Sequence, residues 1–124
     1  MRYIEDQFVV WDKPPKYLKH SNRDDWFYPA GLEQYNWYVP IDTSTIGIAK
    51  SFINMHKLTK DPLYLEKAKA LTNNVTRMQN EENGVIPTHW KTKDCKETGG
   101  DLWINCLIMS ANSLFEIAEY LDTL

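Results

Sequence analysis

The side chains with chemistry to offer gather in two polar stretches of this sequence. The first, 12–43, brings Trp26, Phe27, Tyr28, Tyr35, Trp37 and Tyr38 together with Asp24, Asp25, Glu33 and Asp42. The second, 81–101, holds His89, Trp90, Asp94, Glu97 and Asp101, with Trp103 just beyond it. Aromatic faces for the C–H side of a pyranose, set beside carboxylates and amides for its hydroxyls, are the composition of a sugar site. The expected substrate-binding residues are Tyr35, Trp37, His89, Trp90 and Trp103. The acid candidates are Asp42, Asp101 and Glu33, because hydrolysis by paired carboxylates needs a proton-carrying acid and a second carboxylate roughly 5–10 Å away. No motif joins any two of these acids, so the catalytic residues stay unassigned.

Each candidate has a structural alternative. Trp and Tyr in long loops often pin the loop to the domain, with their N–H and O–H groups on backbone partners. Asp42, ahead of Thr43-Ser44-Thr45, and Asp101, ahead of the last apolar run, stand where helix N-caps stand. His56 reads as a core or boundary histidine, whereas His89 beside Trp90 is the functional candidate. In NGVIPTHW (83–90) a turn at Asn83-Gly84 and the stiffening Pro87 lead to His89 and Trp90. These two are expected at the lip of an opening shared with Tyr35 and Trp37, with Trp90 replaceable without loss of the fold.

Size and charge bound what the elements can be. At 124 residues the chain fits a single helical domain, 1–124, with a real core. Its 43% hydrophobic and 25% charged residues are ordinary for a soluble protein, but five Trp and seven Tyr are a surplus that needs a use. A net charge of -3 supplies no basic field, so nucleic acid is not an expected partner. No apolar run approaches the ~20 residues of a membrane span and the start lacks a signal peptide, so a soluble chain with no membrane partner is expected, its location left open. Cys95 and Cys106 lack metal-ligand spacing and His20, His56 and His89 are dispersed, so free thiols, no metal and no cofactor are expected.

The periodicity predicts helices over 44–58, 62–80 and 102–121, the first and third antiparallel to the second. Asp61 can cap the second of these, Pro62 suits its first position and Glu66 adds negative charge near its start. Tyr64, Ala68, Leu71, Val75 and Met78 form one apolar stripe, and Gly84 lies beyond as a stop. The other two helices are apolar on most sides and read as inner ones. A shift of 62 residues superposes Ala49 on Ala111, Phe52 on Leu114, Ile53 on Phe115 and Met55 on Ile117, a repeat-like relation. Met1 to Val10 reads as a helix ending, and both chain ends are abrupt. A fragment, or a chain that associates to cover its apolar surfaces, is therefore expected. Asn74-Val75-Thr76 matches the glycosylation triplet but falls inside a helix and is discounted.

The stretch KLTKDPLYLEKAKALTNNVTRMQNEENGVIPTHW, with its helix-pair turn, YLEKA, Q, NG and IP, resembles one hairpin of the alpha/alpha toroids, the six-hairpin glycosidase-like proteins. That group includes glycoside hydrolases, unsaturated uronyl hydrolases, sugar epimerases and polysaccharide lyases. RYIEDQFVVW, LEQYNWYVPID and WINC resemble the C-terminal part of uncharacterised bacterial members. The resemblance spans nearly the whole chain. It implies an all-α fold of antiparallel helical hairpins, a partial ring of about three and a half of the roughly twelve helices of a full one. It also implies long loops on one end of the ring, with a carbohydrate site there. Two roles follow as expectations: part of a carbohydrate-active toroid, with its cleft in loops 12–43 and 81–101, or a noncatalytic helical scaffold that self-associates or packs on the remainder of its ring.

Overall fold

The computed structural model describes residues 1–13, 26–33, 39–98 and 100–124. Among them helix dominates: α1 Arg2–Phe8, α2 Asp42–Thr59, α3 Pro62–Arg77, α4 Cys95–Thr98 and α5 Ile104–Asp122. A two-stranded antiparallel sheet, β1 Val9–Val10 and β2 Ala30–Gly31, sets Val9 opposite Gly31 and Val10 opposite Ala30. The first ten residues therefore do not end as a helix; the β-branched pair Val9-Val10 leaves α1 and takes a strand partner. No helix among the described residues is long and apolar enough to cross a membrane.

The join between α2 and α3 is local chemistry. Lys60 adopts a left-handed conformation (φ 60°) and its N–H returns to the His56 carbonyl, ending α2. Asp61 then accepts the Leu63 N–H at 2.9 Å, and Pro62 supplies the first position of α3. The chain reverses within these two residues, so Phe52 stacks on Tyr64 with ring centroids 6.0 Å apart. Ala49, Phe52, Ala68, Leu71 and Val75 are buried in a common core. Glu5 pairs with Lys67, whose ammonium also lies over the Trp11 and Phe52 rings, fastening the N-terminal segment to α3. α3 stops at Arg77 rather than at 80, because Asn80 organises a competing turn: its side-chain oxygen accepts the Glu82 and Asn83 N–H groups and its carbonyl accepts that of Gly84.

α5 packs chiefly on α2. Ser110 meets Asp42, Glu116 meets Lys50 and Tyr120 meets His56, so the two helices run side by side in the same direction. α2 is buried on several sides, as the sequence predicts, but α5 is not. It turns Ser110, Ser113 and Ile117 inward and leaves Ile104, Ile108 and Phe115 in solvent. α2 lies between α3 and α5, whereas among the described elements α5 has α2 as its main helical neighbour.

Gly31 fixes β2 on the start of α2. Its N–H donates to Thr45 Oγ1 at 2.9 Å, and that hydroxyl donates to the Ile41 carbonyl at 2.7 Å. A Cβ at residue 31 would stand 2.8 Å from the backbone carbon of Ser44 and the nitrogen of Thr45, atoms with no rotamer to yield. Gly31→Ala should therefore destabilise the fold by about 1–3 kcal/mol through overpacking. Urea denaturation measures this, and an unchanged midpoint would mean that β2 is not held against the helix.

Candidate functional site where the two loops meet

The described ends of the two long loops are stitched together at the starts of α2 and α5. Ile41 and His89 form a backbone bridge, Trp90 N–H donates to the Pro40 carbonyl at 2.8 Å, and Asp42 N–H donates to the Thr88 carbonyl at 3.0 Å. Thr88 also donates its N–H to the Asp101 carbonyl at 2.8 Å and accepts the Trp103 N–H on its hydroxyl at 2.9 Å. One buried threonine thus ties the starts of both helices to the loop between α3 and α5.

Two carboxylates and a histidine sit around this junction in different states. Asp42 is fully buried at the first position of α2; its oxygens accept the Thr43 N–H at 2.6 Å and the Ser110 hydroxyl at 2.9 Å. Burial pushes its pKa up to about 6, against the lowering effect of those two hydrogen bonds and of His89. Asp101, its side chain 38% exposed, accepts from the His89 backbone N–H at 3.2 Å and from His89 Nδ1 at 2.6 Å. An ionised carboxylate offers no proton, so Nδ1 carries the one in this bond. Burial raises Asp101, but the hydrogen bond and charge of His89 outweigh it and hold the carboxyl below its ordinary value. The Trp103 ring stands edge-on to His89, centroids 5.4 Å apart, and is 54% exposed. Cys106, one helical turn on, is raised by burial and by the Asp42 charge despite a hydrogen bond with Thr43.

The residues expected to act separate clearly. His89, Asp101 and Trp103 come together with Asp42 beside them. Neither Asp42 nor Asp101 is a side-chain N-cap: Ile41 and Trp103 hold those positions, and both carboxylates are drawn to partners distant in sequence. Trp90 is not at a lip; it is 2% exposed in the core, with its indole N–H on the Pro87 carbonyl at 2.8 Å. Trp26 is buried likewise, donating to the Lys91 carbonyl at 3.1 Å. Glu33 is half-buried near the junction, its N–H on the Val39 carbonyl. Tyr35 and Trp37 lie outside the described residues. Asn74 of the glycosylation triplet is buried, its amide donating to the carbonyls of Phe27 and Pro29.

Sequence reasoning missed Thr88 and Ser110; the signal for Ser110 was a pair of serines, with Ser113, on the same helix face as the apolar Leu107, Leu114 and Ile117. No group of three His, Cys, Asp or Glu side chains suited to a metal occurs among the described residues. Clefts of about 350 and 360 Å3 open at Ile4, Phe8, Thr43 and Gly47 and at Asn80, Glu81 and Glu97, and neither is lined by His89, Asp101 or Trp103. Comparison with protein families, with curated proteins and with solved structures returns no match for this chain.

Two measurements follow. A carboxyl raised on folding binds its proton more tightly in the folded state, so Asp42 makes stability fall as pH rises from about 4 through about 6. At 1.36 kcal/mol per unit the loss approaches about 3 kcal/mol by neutral pH. Asp42→Asn should flatten that window and leave the protein more stable than the parent at pH 7, since an amide can still serve Thr43 and Ser110. Parallel denaturation curves at pH 4 and pH 7 check the difference, and identical pH dependence in the two proteins would exclude a raised Asp42. Trp90→Ala should cost about 3–5 kcal/mol, the range for emptying an aromatic from a core, which a thermal melt reads directly.

Proposed function

We propose that this chain is part of a carbohydrate-active protein of the alpha/alpha-toroid kind, glycoside hydrolase-like, whose sugar-binding surface lies where loops 12–43 and 81–101 meet. The observation that carries the reading is the half-exposed Trp103 indole, set against His89 and next to the partly exposed Asp101 carboxylate. An aromatic face beside a fixed hydrogen-bond acceptor is what a pyranose ring and its hydroxyls require. Asp101, held ionised by His89, is the acceptor, and His89 is the positioning residue.

The helical arrangement supports the same reading. α2 and α5 run in one direction side by side while α3 returns along α2, as successive inner and outer helices of a hairpin repeat would. The described ends of both long loops fall at one end of these helices, where the toroids carry their sites. The buried Asp42 is out of reach of a ligand, so the proposal concerns recognition of a sugar. The second reading, a helical interaction module, is favoured by the apolar residues that α5 leaves exposed.

Trp103→Ala should weaken oligosaccharide binding by about 1–3 kcal/mol while leaving the helical circular dichroism unchanged, because the indole is largely outside the core. Titration calorimetry with one neutral and one uronate-containing oligosaccharide provides the measurement. The reading is lost if the parent protein binds neither at millimolar concentration, or if Trp103→Ala binds as tightly as the parent.

A further inference from the structure

Asp101 keeps acceptor capacity that His89 does not use. An ionised carboxylate has about four lone-pair directions, and His89 takes one on each oxygen: its backbone N–H on Oδ1 at 3.2 Å and its Nδ1–H on Oδ2 at 2.6 Å. The carboxylate is partly exposed, so a ligand can reach it. His89 adds a further acceptor. The residue is 7% exposed, and its Nε2 has no partner among the described residues yet is not sealed from solvent. With the proton on Nδ1, the neutral ring presents Nε2 as an acceptor. The side-chain atoms that this pair leaves free beside the Trp103 indole therefore ask a ligand for donors.

Charge narrows the donor. Among the described residues no lysine or arginine pairs with Asp101 or Asp42; the lysines that form ion pairs are drawn to Glu5, Glu66, Glu81 and Glu116. Cys106, in the first turn of α5, registers the result, its thiol raised by burial and then by the charges of Asp42 and Asp101. Cys95 is pushed up to about 11, chiefly by burial, with Asp94 and Asp101 adding to it. The positive end of α5, roughly half a charge, offsets only part of this negative field.

We propose that the sugar recognised here carries a protonated amino group, as a glucosamine unit without its acetyl group does, with the ammonium donating to Asp101 and the C–H face of the ring lying on the Trp103 indole. The inference rests on the sugar reading and names the class of sugar. An ammonium brings three N–H donors to the open acceptor directions, and its hydrogen bonds to a carboxylate are charge-assisted, about twice as strong as those between neutral groups. The indole serves the same ligand, because its face attracts ammonium as well as aliphatic C–H groups. A uronate meets the opposite conditions: its carboxylate brings no donor and faces Asp101 with a like charge. Neutral sugars stand between the two. Because Asp101 is partly exposed, solvent screening keeps the preference modest, about fivefold.

Titration calorimetry with the glucosamine tetramer, its N-acetylated counterpart and a galacturonate tetramer tests the assignment, in a low-salt buffer where the sugar amines are protonated and Asp101 is ionised. The amine tetramer should bind about fivefold tighter than the acetylated one, with the galacturonate weakest of the three. Added salt should shrink the preference, and Asp101→Asn should abolish it. The ranking by the parent protein decides the matter even if that variant does not fold. The charge assignment is overturned, and the sugar reading left standing, if the parent binds the two glucosamine-based tetramers equally or the galacturonate as tightly as the amine. A preference that survives high salt, or that a folded Asp101→Asn protein retains, overturns it as well. Binding of none of the three overturns both.

Discussion

The buried carboxylate of Asp42 is the constraint on which this end of the molecule depends. An ionisable group without solvent has to find its hydrogen bonds in the protein, and two come from distinct parts of the chain: the Thr43 N–H at the start of its own helix and the Ser110 hydroxyl two turns into α5. The second bond sets α5 along α2. The backbone of Asp42 then reaches Thr88, and Thr88 reaches Asp101 and Trp103. The orientation of the exposed indole is thus a consequence of where a buried aspartate finds its donors. The pKa of about 6 records that these donors do not fully replace water.

Around that constraint most of the described aromatic rings act as fasteners. Trp26 and Trp90 use their indole N–H groups to hold loop carbonyls. Trp11 lies on Phe52, and Phe27 is flanked by Arg77 and Lys93, whose cations lie 4.7 and 5.5 Å from its ring. Long loops have few backbone partners of their own, so rings that bury area while keeping one polar handle satisfied are an efficient means of ordering them. Trp103 differs because its backbone, not its indole, makes the anchoring bond. Its ring is left available.

What the sequence made legible follows the range of the interactions involved. Asp61-Pro62 declares the start of α3 because cap and first position are adjacent, and the structure keeps both. Asp42 and Asp101 precede helices in the same way, yet neither caps one, because Ser110 and His89 compete from 68 and 12 residues away and no local pattern registers such partners. Trp90 looked exposed because its neighbours are polar and turn-forming. Its burial is decided by Pro40, on the other loop, which accepts its backbone N–H. The two-residue strands are too short for any alternation to show. The pairing of His89 with Trp103 and Asp101 was legible only as a concentration of residue types, and the fold turned that concentration into contacts.

Beside Ile117, α5 turns two small side chains inward. Ser110 and Ser113 allow α5 to lie close to α2 while the first of them serves Asp42, so the interior of this contact is partly polar by necessity. The same side carries Ile117, with Leu107, Leu114 and Leu121 packed against the core, while Ile108 and Phe115 fall on the opposite side and stay exposed. Rotating α5 to bury Phe115 would carry Ser110 away from Asp42, so the exposure of that ring follows from the same hydrogen bond that positions the site.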